Sequence, residues 1–142
     1  MTRIFAKAYS CGPETDPEAC KRKLSLAHPG AVVQAAKRGS ASNELFVEML
    51  AAQTLSAETS GSLLAKKPEI DLLLRLAGTN QISTAIREKG VKGGEPFLVI
   101  WAGRSELKSP KGFAEKELPR RALNRAELAK VERAALLGVR SS

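Results

Sequence analysis

Aromatic residues are scarce in this chain. One tryptophan, Trp101, one tyrosine, Tyr9, and four phenylalanines among 142 residues argue against a platform on which several bases could stack. The only histidine, His28, precedes a proline in a turn and has no identifiable nucleophile partner. Cys11 and Cys20 are the only cysteines, and their spacing fits neither a redox Cys-x-x-Cys pair nor half of a zinc site. No structural metal is expected. Reduced thiols are the expectation, with a Cys11–Cys20 bridge left open. No apolar run approaches the ~20 residues needed to cross a bilayer, and the N-terminus lacks the apolar stretch of a signal peptide. A cytoplasmic protein without membrane contact is therefore expected.

Nucleotide-cradling loops are missing as well. Neither Gly-x-x-x-x-Gly-Lys-Ser/Thr nor Gly-x-Gly-x-x-Gly occurs, and Lys92-Gly93-Gly94 lacks the strand-before, helix-after setting. Glu69 and Asp71 have no second acid at a readable spacing, and Asp71 is expected at the surface or paired at a turn. The expectation is a protein with no catalytic residue, no cofactor and no small-molecule substrate.

The length suits one domain, residues 1–142, large enough for one good core. The formal charge is +8 and unevenly spread. Residues 1–71 hold nine Lys/Arg against eight Asp/Glu, while residues 72–142 hold fourteen against seven. A basic half of this kind is consistent with a polyanionic partner.

Alternation in residues 3–10 predicts a strand, with Ile4, Ala6 and Ala8 on one side and Phe5, Lys7 and Tyr9 on the other. Thr15-Asp16-Pro17-Glu18 is a capping-box start with proline at the first helical position, for a helix ending before Pro29. A weaker strand is expected over residues 31–37. Asn43 and its small polar neighbours open a helix apolar over more than half its surface, which Leu63-Leu64-Ala65 carries on past Gly61. Lys66 and Lys67 then fall in its last turn, favourable to the helix dipole, before Pro68 ends it.

Residues 70–91 read as a strand, a tight turn and a helix. Ile70, Leu72, Leu74 and Leu76 fall at period two, with Leu73 on the other face, as in a central strand. Thr79 or Asn80 can cap a short helix striped by Ile82, Ala85 and Ile86, and Gly90 is expected as its left-handed stop. The polar Gly78-Thr79-Asn80-Gln81 turn can act as a simple cap, or offer free amides to a phosphate or carboxylate. Residues 97–101 predict a buried strand. Residues 104–118 read as loop with a short helix. Asn124, with Glu127 three residues on, caps a final helix striped by Leu128, Val131 and Ala135 and broadened by Leu136, Leu137 and Val139.

These elements imply an α/β fold, a single domain with a small mixed β-sheet of about four strands packed against several helices. Two surfaces are candidates for binding. Lys66, Lys67, Arg75, Arg87, Lys89 and Lys92 bracket the 78–81 turn and can surround a phosphate chain, or stand as solvated charges. The last helix carries more apolar residues than one buried stripe needs, which suits either core or a partner's groove.

Residues 42–91 resemble the small kinase-binding subunit of the KEOPS complex, the TPRKB-like family. The resemblance rests on Ala77-Gly78-Thr79-Asn80-Gln81-Ile82, on Ala85-Ile86 and Gly90-Val91, and on a tail helix, residues 126–137. It covers about half of the chain closely. It implies a non-catalytic subunit that binds the small atypical kinase/ATPase of a complex adding threonylcarbamoyl to the adenosine beside the tRNA anticodon. Archaeal members of the family hold the single-stranded 3′ CCA end of tRNA. By position, Gly78, Thr79, Gln81 and Ile82 would lie at that RNA site, and Leu128, Val131 and Ala135 at the kinase. Asn80 stands where many microbial relatives carry arginine, which removes a phosphate-binding charge from the turn. A stand-alone basic RNA-binding domain is the alternative, and an unrecognised small enzyme the third reading.

Overall fold

In the computed structural model, which describes residues 3–106 and 116–140, alternating side chains of three strands divide the core in two. The strands are β1 (Phe5–Cys11), β2 (Val32–Lys37) and β3 (Phe97–Gly103). Leu98, Ile100 and Ala102 join Ala6, Ala8, Val32 and Ala36 on one face. Phe97, Val99 and Trp101 join Tyr9, Cys11, Val33 and Ala35 on the other. Both faces are covered, and every residue of β3 is buried, as its unbroken apolar run requires.

The sheet order is β2-β3-β1-β4, where β4 is the two-residue strand Lys116–Glu117. All three ladders are antiparallel, whereas a mixed sheet was expected. Helix α1 (Pro17–Ala27) covers one face through Cys20 and Leu24. Its start is as the sequence predicts: the Ala19 amide donates to Asp16 at 3.0 Å, with Pro17 at the first helical position. On the opposite face lie α2 (Glu44–Ser60) and α3 (Pro68–Ala77), with α5 (Arg125–Arg140) packed on both of them and α4 (Ile82–Lys89) beside α3.

Three expectations are overturned here. Residues 68–77 form a helix, not a central strand. Residues 71–76 are all buried, the charged Asp71 and Arg75 among them, so leucines at period two do not by themselves distinguish a strand from a short buried helix. The deciding signals are proline at the first turn, Glu69 and Asp71 beside it, Arg75 in the last turn and a left-handed Gly78 (φ 71°) at the end. Helix α2 stops at Gly61 (φ 72°), where the Ser62 amide donates to the Ala57 carbonyl at 2.8 Å. Leu63-Leu64-Ala65 therefore does not prolong it, and Pro68 opens a helix instead of closing one. Gly90 has φ −69°; glycine fits there because a Cβ would run into the Ile86 carbonyl oxygen.

Asp71, expected near the surface, is fully buried. Its Oδ1 accepts from Thr54 Oγ1 and Arg75 Nε, both at 2.6 Å. Its Oδ2 accepts from the Leu64 amide at 2.9 Å and Arg75 Nη2 at 3.2 Å. Arg75 Nη1 donates onward to Gln53 Oε1 and the Ala134 carbonyl, at 3.3 and 3.1 Å. One ion pair thus ties α2, α3, α5 and the 62–67 link. Residues 107–115, part of the expected loop, and the Val139 side chain lie outside the described set.

Asp71→Ala should lower stability by about 3–5 kcal/mol in urea titration, because it leaves a buried guanidinium without its counter-charge. The double variant Asp71→Ala/Arg75→Leu should recover part of that loss. If the double variant fell by the sum of the single losses, the coupling would be absent.

Candidate functional site

The 78–81 turn joins two helices. Gly78 and Thr79 donate their amides to the Leu74 carbonyl at 2.8 and 3.2 Å, which completes the C-terminus of α3. Thr79 Oγ1 accepts the Gln81 amide at 3.1 Å. Gln81, rather than Thr79 or Asn80, occupies the cap position of α4, without a side-chain cap bond. The threonine bond shapes the turn; it does not cap the helix. Asn80, Gln81 and Ile82 are exposed, Ile82 by 47%. Ile86, one turn on, is exposed to 51%, which leaves an apolar strip beside a polar turn.

The basic ring expected around this turn does not form from the predicted residues. Arg75 is only 6% exposed and spent on Asp71, so it is structural. Lys66 and Lys67 precede the opposite end of α3, a ten-residue helix about 15 Å long. Arg87 and Lys89 lie in the last turn of α4, and the Arg87 carbonyl accepts from Lys37 Nζ at 3.3 Å. Sequence reasoning missed the cation that does reach the turn. Arg133 of α5 is exposed, and a Cβ on Gly78 would stand 3.3 Å from its Nε. No local pattern signals a contact between residues so far apart in the chain.

In α5 the buried stripe is Val131, Ala134 and Leu137, not Leu128, Val131 and Ala135. Val131 is core, 7% exposed, while Leu128 and Leu136 are each 47% exposed. Ala135 faces a groove of about 860 Å³ between α5 and α2, walled also by Met49, Ala52, Ser56 and Gly138. Leu128 lies two turns before Ala135, on nearly the same face of α5.

Compared with known proteins, the chain matches no family model and no curated protein.

Other chemistry is structural in character. His28 is half-buried against Trp101, ring centroids 6.4 Å apart, so it is not a plain surface histidine. Both cysteines are buried in the α1-side core. Among the described residues, no group of three or more His, Cys, Asp or Glu is placed to hold a metal, and no helix is long and apolar enough to cross a membrane. Asn124 and Glu127 exchange amide bonds at 2.8 and 3.0 Å, the capping box expected for α5. Arg121, paired to Glu127 at 2.7 Å, holds that carboxyl below its usual range, helped by the Asn124 amide.

Glu44 opens α2 in a second charged cluster with Glu48, Arg120, Lys7 and Glu117. Burial and then the neighbouring Glu117 carboxyl push its pKa up from 4.5 to about 7, against the opposing pull of Lys7 and Arg120. The folded chain therefore holds this proton more tightly than the unfolded one, and stability from this group is lost as pH rises from 4.5 through about 7. Glu44→Gln should flatten that decline, removing about 1–2 kcal/mol of pH dependence between about pH 5 and pH 8 in denaturant titrations. An unchanged slope would mean that the cluster does not hold the proton.

Proposed function

We propose that this chain is a non-catalytic subunit of a KEOPS complex, acting in the cytoplasm in threonylcarbamoyl-adenosine modification of tRNA. It holds the small atypical kinase/ATPase through the α2–α5 groove and the tRNA 3′ CCA end at the 78–82 turn. The observation that carries the reading is the Gly78-Thr79-Asn80-Gln81-Ile82 motif between two packed helices, half-buried at Gly78 and Thr79 and exposed from Asn80 to Ile82. Arg133 supports it further, since it brings a positive charge to a turn where Asn80 has none. Single-stranded RNA is held by stacking, by apolar contact and by charge. Ile82, Gln81 and Arg133 offer the last two together with hydrogen bonding. The groove beside Ala135, with Leu128 on nearly the same face of α5, suits a helix or strand edge of a partner.

This reading assigns bond-making to the partner. It drops Val131 and Arg75, both buried, keeps Leu128 and Ala135, and adds Arg133 as a working contact.

Affinity capture from the native source should recover a small kinase with this chain, and Leu128→Asp should abolish its recovery. Arg133→Glu should weaken tRNA binding by about tenfold at low salt, with the loss shrinking as salt rises. Trimming the three terminal nucleotides from tRNA should have at least as large an effect. Equal binding of trimmed tRNA would remove the CCA assignment, and recovery of the chain alone would favour a free-standing RNA-binding domain.

A further inference from the structure

The two lysines that precede α3 stand where a lysine is electrostatically unfavourable. The N-terminus of a helix carries partial positive charge, and a cation there costs about 0.3–1 kcal/mol. Lys67 occupies the cap position itself, makes no cap bond, and follows another lysine. Both are exposed, and among the described residues neither has a carboxylate within ion-pair distance. A third cation, Lys21, reaches the same place from α1, and its ammonium is steadied by Glu18 at 3.0 Å. The three lysines surround a cavity of about 480 Å³. A single carboxylate, Glu69, shares its wall, so the charge remains positive.

The floor of this cavity is built. Gln34 is 6% exposed, with its Nε2 donating to the Glu69 carbonyl at 2.9 Å and its Oε1 accepting the Ala35 amide at 2.9 Å. These bonds commit its amide internally and leave little with which to read a base. Lysines, unlike arginines, act as point charges without a fixed fork. The chemistry therefore selects for negative charge of compact, adaptable shape.

We propose that the cavity between Lys21, Lys66 and Lys67 is a phosphate-binding site, separate from the 78–82 turn and at the other end of α3. Its ligand is a phosphate group, either in a free oligophosphate or in the backbone of a polynucleotide. The site rests on three cations from two elements closing on one concavity and does not depend on the role given to the turn.

The test is amide chemical-shift titration of the full chain with inorganic pyrophosphate, followed by competition with a short oligouridylate. The expected result is a saturable shift of Gln34, Glu69 and Ile70. The exposed-residue variant Lys66→Gln/Lys67→Gln should weaken it at least about tenfold, with the loss shrinking as salt rises. Lys21→Gln should weaken it less, because Glu18 already shares that charge. Displacement by oligouridylate identifies backbone phosphate as the ligand, and pyrophosphate binding without displacement identifies free oligophosphates. Absence of a shift up to about 10 mM pyrophosphate, or a titration unchanged in the double variant, overturns the site. Gln81→Ala should leave this titration intact, so failure of the turn's role and failure of this cavity are read separately.

Discussion

A carboxylate and a guanidinium taken out of water together set the arrangement of the helical layer. Two charges removed from solvent cost several kcal/mol each, and attraction offsets that only when the remaining hydrogen-bond positions are also filled. Asp71 meets that condition with two bonds on each oxygen. Arg75 meets it with Gln53 and the Ala134 carbonyl in addition to Asp71. Net stabilisation from such a pair is small, but its directional demands are strict. A rotation of α3 that left every leucine buried would still break these bonds.

That constraint passes directly to the candidate site. Arg75 lies three residues before Gly78, and its partner Ala134 lies one residue after Arg133. Fixing the Arg75–Ala134 contact at 3.1 Å therefore fixes where Arg133 meets the turn. The exposed turn is thus held both by its local bonds and by a buried interaction less than one helical turn away. A binding surface with its charge set in advance loses less entropy when a ligand arrives.

Sequence made the sheet and most helix starts legible because their signals are local. Asp16-Pro17, Asn43 and Asn124 each cap what they were expected to cap, and strict alternation in β1 survived intact into two core faces. Residues 70–76 are ambiguous because leucines at period two also fit a short helix buried together with its charged residues, and Pro68 suits a helix start as well as a helix end. With Pro68 as a start, Lys66 and Lys67 stand at the unfavourable end of α3 rather than at the favourable end of the helix before it. For Arg75 and Val131, residue type alone does not reveal a buried counter-charge or the rotation of a helix about its axis. Arg133 was missed for the same reason: its neighbour in space is remote in the chain.

The register of α5 shows what polar contacts add to an apolar core. A helix with leucines at 128, 136 and 137 offers more than one apolar face, and burial alone does not choose strongly between them. Among the described side chains of α5, only Val131, Ala134 and Leu137 are buried. The choice is made by directional bonds spaced along the helix. Glu127 accepts from Asn43 at 3.3 Å, the Val131 carbonyl from Gln53 at 3.0 Å, and the Ala134 carbonyl from Arg75. Each belongs to a side chain of α3, of α2 or of the residue that caps α2, so α5 cannot rotate without breaking all three. Leu128 and Ala135 face outward in the rotation of α5 that makes these bonds. The face that carries Leu128 and Ala135 therefore stands exposed in the folded chain by itself.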